Sequence, residues 1–147
     1  MSGLLLDTNI PSELIRSHPD QRVEAWVRGQ DEAALYLSVV TIGELRKGLT
    51  ILPESKRRSR LEAWLENDLM PLFSNRILPV TQAIANRWGV PSAVRQMTGR
   101  PLSMADGLIA ATALEHELVV VTRNTRDFEG LGVALVNPWE ADRVVSV

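Results

Sequence analysis

The sequence contains no cysteine and only two histidines, His18 and His116, among its 147 residues. Disulfide bonds and thiolate-ligated metal sites are therefore excluded, and a zinc site built on histidine is not expected. Lysine is nearly absent as well, since only Lys47 and Lys56 are lysines among the 16 basic residues and the others are arginines. A metal ion bound to this chain must be held by oxygen atoms, which favours magnesium or manganese.

Long hydrophobic runs are also missing, because no segment approaches the roughly 18 consecutive apolar residues of a membrane span. The N-terminus lacks the basic region and small-residue cleavage site of a secretory signal, so a cytoplasmic location without membrane attachment is expected. The net charge of −2 and the isoelectric point near 5.7 argue against a protein that coats nucleic acid indiscriminately. A hydrophobic content of 45% over residues 1–147 predicts one domain with one core.

Short apolar runs alternate with longer amphipathic stretches along the chain. The expected strands cover residues 3–6, 35–40, 77–80, 118–122 and 133–136. The expected helices lie near residues 10–16, 22–28, 41–49, 55–72, 81–98 and 103–115. This alternation predicts an α/β fold in which a parallel sheet, buried on both sides, carries helices on its two faces.

Polar residues follow the strands or begin the helices at several of these boundaries. Asp7 ends the first strand in the stretch LLLDTN, and Glu44 and Asp106 lie in the first turns of two expected helices. Asn124 and Asp127 follow the fourth strand in VVVTRNTRDF. Because parallel strands end at one edge of a sheet, these side chains are expected together at the carboxyl edge, where open α/β folds bind ligands. Two or three carboxylates without histidine or cysteine nearby form a site for a hard cation.

Each acid also has a purely structural interpretation. Residues 41–44 and 103–106 both fit the capping box, in which the acid bonds back to the first amide of its helix. Asp7 is equally consistent with a polar strand end that leads the chain into Asn9 as an N-cap. For any one motif the structural interpretation is favoured, but independent capping does not explain why the acids gather at one edge.

Four stretches, LLLDTN, LSVVTIGELRKGL, MADGLIAATA and VVVTRNTRDF, resemble in order the four acidic motifs of the PIN domain family. More narrowly, they are similar to VapC-type toxin ribonucleases of bacterial toxin–antitoxin pairs, and NPW near the C-terminus resembles the FitB-type branch. The resemblance runs from Leu4 to Trp139. It implies a three-layer α/β/α sandwich with a short central parallel sheet, and an endoribonuclease that hydrolyses RNA phosphodiester bonds with Mg²⁺ or Mn²⁺.

The resemblance also implies roles for individual acids. Asp7 and Asp106 correspond to the principal metal ligands and Glu44 to the third acid. Many relatives carry a further acid where this chain has Asn124, and Asp127, three residues later, is the alternative occupant of that fourth catalytic position. A neutral amide there would hold a second metal ion more weakly, so the number of metal ions is left open.

Five polar neighbours complete the expected site and are assigned to substrate binding. Thr8 and Asn9 adjoin the first acid in sequence and are expected to support its carboxylate, as Thr122 is from the fourth strand. Arg123 and Arg126 flank the site and are expected to contact phosphate.

The resemblance implies a cognate antitoxin that enters the acidic groove, and a homodimer that forms a hetero-oligomer with the antitoxin. Helical stretches around Trp26 and at residues 55–72 are the expected partner surfaces because they are rich in large apolar side chains. A catalytically silent PIN module that binds RNA or a partner is the alternative, because Asn124 departs from the pattern. A hydrolase of the haloacid dehalogenase type is disfavoured, since that chemistry requires a second aspartate where this chain has Asn9.

Overall fold

The structure, a computed structural model, describes residues 3–140 and 144–146. Its six strands are β1 (Leu4–Leu6), β2 (Leu35–Ser38), β3 (Ile77–Leu78), β4 (Val119–Val121), β5 (Ala134–Val136) and β6 (Val144–Ser146). They form one sheet in the order β3-β2-β1-β4-β5-β6, in which the first five strands are parallel and β6 pairs antiparallel with β5. The predicted parallel α/β sandwich is confirmed, and β6 is an addition that the apolar pattern did not indicate.

Seven α-helices connect and cover these strands within the described residues. They are α1 (Asn9–Leu14), α2 (Gln21–Arg28), α3 (Val39–Ile51), α4 (Lys56–Ala63), α5 (Met70–Leu72), α6 (Gln82–Met97) and α7 (Met104–His116). The helix expected over residues 55–72 is interrupted by a π-helical segment, Trp64–Leu69, just before Pro71, which has no amide hydrogen to continue the regular pattern. None of the helices in the described part of the chain is long and apolar enough to cross a membrane.

The sheet separates two hydrophobic cores, rather than the one expected from composition, because successive side chains of a strand point to opposite faces. Leu5 and Val120 belong to the core beneath α7, whereas Leu6 and Val121 belong to the core beneath α1 to α4. Burial of both faces explains why the strands are continuous Leu and Val runs rather than alternating patterns. The central pair β1 and β4 is thereby held rigidly, and the site lies where these two strands end.

The two expected capping boxes have different outcomes. Helix α3 begins two residues earlier than expected, and the hydroxyl of Ser38 accepts from the amide of Val40 at 3.0 Å. Glu44 therefore lies in the second turn, and its interpretation as a capping residue is wrong. Helix α7 begins as expected, with the hydroxyl of Ser103 accepting from the amide of Asp106 at 3.1 Å. The side chain of Glu44 therefore makes no capping interaction at the start of α3.

Candidate active site

The first strand ends in a carboxylate that is almost completely removed from solvent. Asp7 is 5% exposed, and its amide donates to the carbonyl of Val121, so the pairing of β1 with β4 continues to this residue. Its carboxylate accepts from the amide of Thr8 (2.9 Å), the hydroxyl of Thr122 (2.7 Å) and the side-chain amide of Asn9 (3.4 Å). Residues from the ends of both central strands therefore fix the carboxylate of Asp7 in place.

Asn9 joins the ends of β1 and β4 instead of capping a helix. Thr8 occupies the N-cap position of α1 and Asn9 is the first helical residue, so the expected N-cap role of Asn9 is wrong. The amide nitrogen of its side chain lies 3.3 Å from the hydroxyl of Thr122, and its side-chain oxygen accepts from the amide of Arg123 at 3.3 Å. These contacts exist because β1 and β4 are neighbours in the sheet, although more than a hundred residues separate them in sequence.

Burial governs the ionisation of Asp7. The pKa of this carboxyl is raised from 3.8 to about 6, chiefly by its removal from water and to a smaller degree by the charges of Asp106 and Glu44, and the hydrogen bonds from Thr122 and Thr8 oppose the rise. The electrostatic coupling shows that the three acids predicted from separate motifs share one region at the carboxyl edge. Clustered carboxylates of this kind repel one another unless a cation lies among them.

Glu44 is held by a pair of threonines. The hydroxyl of Thr8 donates to a carboxylate oxygen of Glu44 at 2.5 Å, and it lies 3.1 Å from the hydroxyl of Thr41. Thr41 is completely buried and sits one turn before Glu44 in α3. Because a hydroxyl has a single hydrogen, the proton between the two threonines must come from Thr41 when Thr8 donates to Glu44.

Asp106 lies in the first turn of α7 and is partly buried. Its pKa is raised by burial and by the charges of Asp127 and Glu44, whereas a hydrogen bond from Ser103 and the charge of Arg95 lower it. Asp106 therefore interacts electrostatically both with Glu44 on α3 and with Asp127, which follows β4. Asp127 belongs to this group of acids even though its side chain is exposed.

Asn124 and Asp127 are the two candidates for the fourth catalytic position, as the sequence indicated. The backbone amide of Asn124 donates to the hydroxyl of Thr122 at 3.0 Å, and its side chain makes no capping bond to the described residues of the 3₁₀ turn Thr125–Phe128. Asp127 lies inside that turn, where its charge acts on Asp106. The structure thus joins Asn124 to the site through its backbone and Asp127 through its charge.

The two expected phosphate contacts have different surroundings. The guanidinium of Arg123 stacks over the buried ring of Trp139, 5.1 Å from its centroid. Asn137 supports this arrangement, since its side chain donates to the carbonyl of Arg123 at 3.4 Å and accepts from the amide of Trp139 at 2.9 Å. Arg126 is exposed and makes no ion pair with the described residues.

Sequence reasoning missed three residues that take part in this region. Asn137 directly follows β5, so the strand-end rule that identified Asp7 would have found it as well. Thr41 was assigned to a helix start and its buried hydroxyl was overlooked. No motif in the sequence marks Arg95 as a site residue, because only the packing of α6 against α7 brings it near Asp106.

The donor set fits a hard cation in its chemistry. All side chains of the cluster offer oxygen, and Asp7 supplies a buried carboxylate that neighbouring negative charges destabilise. Among residues 3–140 and 144–146, however, no three acidic or histidine side chains converge closely enough to form a complete metal cage. Such an open set suits Mg²⁺, which binds one or two carboxylates and completes its shell with water and substrate phosphate.

Comparison with known proteins places this geometry in a family. The model of the PIN domain matches residues 4–133. VapC ribonuclease Y4jK of Sinorhizobium fredii is 40% identical over 137 residues, which cover 93% of this chain and 98% of that protein. Toxin FitB of Neisseria gonorrhoeae is 40% identical over 136 residues, which cover 92% and 98%.

Solved structures agree with the sequence comparison. The crystal structure of FitAcB from Neisseria gonorrhoeae has a TM-score of 0.86 at 40% identity and covers 92% of this chain and 98% of that chain. A toxin–antitoxin complex from Klebsiella pneumoniae has a TM-score of 0.65 at 27% identity and covers 92% and 98%. The family match, residues 4–133, spans all four acidic stretches described above.

Proposed function

This chain belongs to the PIN domain family, and on that premise we propose that it is an endoribonuclease toxin that a cognate antitoxin neutralises. The reaction is hydrolysis of RNA phosphodiester bonds, carried by residues 1–147 as a single PIN domain with Mg²⁺ or Mn²⁺. The observation that carries the proposal is the buried carboxylate of Asp7 beside Glu44 and Asp106 at the carboxyl edge. The 40% identity to a VapC ribonuclease along nearly the whole chain supports it independently.

Asp7 and Asp106 are the residues that would hold the cation, with Glu44 as a third ligand or as the group that orients the attacking water. A divalent cation there supplies an acidified water and stabilises negative charge on the phosphate. Thr122 and Thr8 keep the carboxylate of Asp7 ionised and correctly oriented, because hydrogen bonds to a carboxylate favour its charged form.

The fourth acid is assigned to Asp127, because its charge acts on Asp106 whereas Asn124 supplies no charge. Asp127 is exposed, so it contributes a solvent-accessible carboxylate rather than a buried ligand. Thr122 is completely buried, so it supports the carboxylate of Asp7 and does not contact the substrate as expected. Thr8 and Asn9 are partly buried and stay assigned to substrate binding. Arg123, stacked on Trp139, presents its charge to the RNA backbone.

The antitoxin and a second copy of the chain are the proposed protein partners. An apolar cavity of about 410 Å³ supports the partner surface expected near residues 55–72, since its lining includes Leu14, Val27, Trp64 and Leu72. The 51% exposure of Leu72 leaves apolar area that a partner helix would cover. The similarity to a chain of a toxin–antitoxin complex supports assembly of this kind.

The test is cleavage of RNA by the purified protein free of antitoxin. Cleavage is expected with Mn²⁺ or Mg²⁺ and is expected to stop when EDTA is added, while Asp7→Asn protein from the same preparation stays inactive. Cleavage that persists in excess EDTA would exclude the proposed chemistry. Failure to bind Mn²⁺ in calorimetry, combined with retained RNA binding, would instead favour a silent PIN module.

A further inference from the structure

Arg95 carries a positive charge beside the acidic cluster and forms no ion pair with the described residues. It lies in the last turn of α6 and is partly buried. Its Nε donates to the carbonyl of Arg100 at 2.9 Å and its Nη1 to the carbonyl of Asp127 at 3.4 Å. In the part of the chain that the structure describes, no carboxylate lies within ion-pair distance of this guanidinium.

The geometry leaves much of the guanidinium available. Arginine has five N–H donors, and the two hydrogen bonds to backbone carbonyls occupy two of them. The same two bonds hold the side chain between the loop after α6 and the 3₁₀ turn that contains Asp127. The guanidinium therefore lies beside the turn that contains the exposed acid Asp127.

Other arginines of the described chain are engaged differently. Arg87, two turns earlier in α6, pairs with Glu115 at 3.4 Å, and Arg58 pairs with Glu62 at 3.6 Å. Arg123 stacks on Trp139. Arg95 thus combines a position near the candidate site, a side chain fixed by two hydrogen bonds and donors that remain free.

An RNA backbone that approaches Asp7, Glu44 and Asp106 is repelled by like charge, and a cation near the cluster offsets this repulsion. We infer that Arg95 binds a non-bridging phosphate oxygen of the RNA strand next to the acidic cluster. The guanidinium fork matches the geometry of a phosphate and forms charge-assisted hydrogen bonds with it. This inference rests on the proposed ribonuclease function and names a substrate-binding residue for it.

The test compares Arg95→Gln with Arg87→Gln, which changes a paired arginine of the same helix. Arg95→Gln is expected to lower kcat/KM by about tenfold or more, as for the loss of one charge-assisted hydrogen bond, with most of the loss in KM. It should also reduce the slope of log binding constant against log salt by about 0.7, the value for one phosphate contact to a single strand. Arg87→Gln should leave both quantities unchanged.

A role limited to fixing the loop after α6 is distinguished by Mn²⁺ binding in the absence of RNA. Removal of a nearby positive charge should leave the Mn²⁺ affinity of Arg95→Gln equal to that of the wild type or higher. Loss of structure would lower it. Arg95→Lys, which keeps the charge but not the planar fork, should retain the salt slope while recovering only part of kcat/KM.

Two results would overturn the inference while the wild type still cleaves RNA. One is an unchanged KM and salt slope for Arg95→Gln. The other is a fall in Mn²⁺ affinity and melting temperature that accounts for the loss of activity. A wild-type protein that fails to cleave RNA at all would contradict the proposed function instead, so the two failures are separable.

Discussion

The hydroxyl of Thr8 donates a hydrogen bond to Glu44, which lies 36 positions later in the chain. Thr8 follows the end of β1, and Glu44 lies in the second turn of α3, so this bond connects the sheet to the helix that borders the site. The buried hydroxyl of Thr41 lies 3.1 Å from the hydroxyl of Thr8. The orientation of Glu44 is therefore set by two neutral side chains.

Loss of this threonine pair should impair catalysis without unfolding the protein. Thr8→Val removes the hydrogen bond to Glu44 and is expected to lower Mn²⁺-dependent activity by roughly 10- to 100-fold, the range found for groups that orient metal ligands. Thr41→Val removes a hydroxyl that contacts Thr8 rather than Glu44, so it should lower the activity less. Steady-state kinetics with a fluorescent RNA substrate measure both.

Thr112→Val is the matched control for these variants. Thr112 is also completely buried, but its hydroxyl bonds the carbonyl of Leu108 within α7 at 2.7 Å. Its replacement should cost about 1 kcal/mol of stability, the net value of an ordinary hydrogen bond, and leave activity intact. Equal loss of activity in Thr112→Val and Thr8→Val would contradict the specific role of Thr8.

Asp7→Asn should stabilise the metal-free protein while it abolishes activity. The pKa of Asp7 is about 6 in the folded chain against 3.8 without the fold, so ionisation at neutral pH opposes folding. The difference corresponds to at most about 3 kcal/mol, which the amide avoids. Urea denaturation at pH 7.5 in EDTA is expected to show the gain.

The sign of the pH dependence follows from the raised pKa. Between pH 3.8 and about 6 the folded state binds the proton more tightly, so this group destabilises the fold fully above pH 6 and not at all below pH 3.8. The stability advantage of Asp7→Asn over the wild type should therefore shrink as the pH falls from 7 to 4. An advantage that stays constant over this range would assign it to another cause.

Thr122→Val should disfavour the ionised form of the Asp7 carboxyl. The hydroxyl of Thr122 is 2.7 Å from the carboxylate and favours its charged form. Its removal should raise the pKa of Asp7 further, and the acid limb of the pH–activity profile should move to higher pH because cation binding requires the ionised acid. An unmoved acid limb would show that Asp7 does not control it.

The fourth acidic position can be assigned by exchanging charge at two sites. Asp127→Asn should weaken Mn²⁺ binding because it removes a charge that acts on Asp106. Asn124→Asp should strengthen it only if that side chain faces the site. Calorimetric titration with Mn²⁺ separates the outcomes, and an affinity that Asp127→Asn leaves unchanged would remove Asp127 from the site.

Neutralisation of the acids should also weaken the antitoxin complex. A basic side chain of the antitoxin that enters the acidic groove would interact with Asp7 and Glu44 through charge. Asp7→Asn and Glu44→Gln should therefore increase the dissociation rate of the antitoxin in surface-binding measurements. Wild-type dissociation rates for both variants, together with a free toxin that sediments as a monomer, would contradict this account of the partners.

The fold was largely predictable because its strands are buried on both faces. Uninterrupted Leu and Val runs separated by amphipathic segments leave little choice other than a parallel sheet with helices on both sides, and the family resemblance agrees with it. The boundaries moved by at most two residues, most clearly at α3, where Ser38 caps the helix in place of Thr41. Local competition between two possible caps is not decided by sequence spacing.

The candidate site was predictable to the extent that its residues follow strand ends or begin helices. Asp7 and Asp106 were found because their position on the chain fixes their position on the sheet edge. The hydrogen-bond network around these acids was not predictable, since Asn9 contacts Thr122 and Arg95 contacts the carbonyl of Asp127 only through tertiary packing. The metal-binding and catalytic roles of these residues stay predictions that the variants above test.

Both borders of the sheet offer very little backbone to another chain. The border at β3 has two residues, Ile77–Leu78, and Pro79 follows at once, while the border at β6 has three residues, Val144–Ser146. Unpaired strand edges are templates for edge-to-edge growth, and short edges next to proline limit it. The short borders thus disfavour growth of the sheet into fibrils, and they leave a partner strand few backbone groups with which to pair.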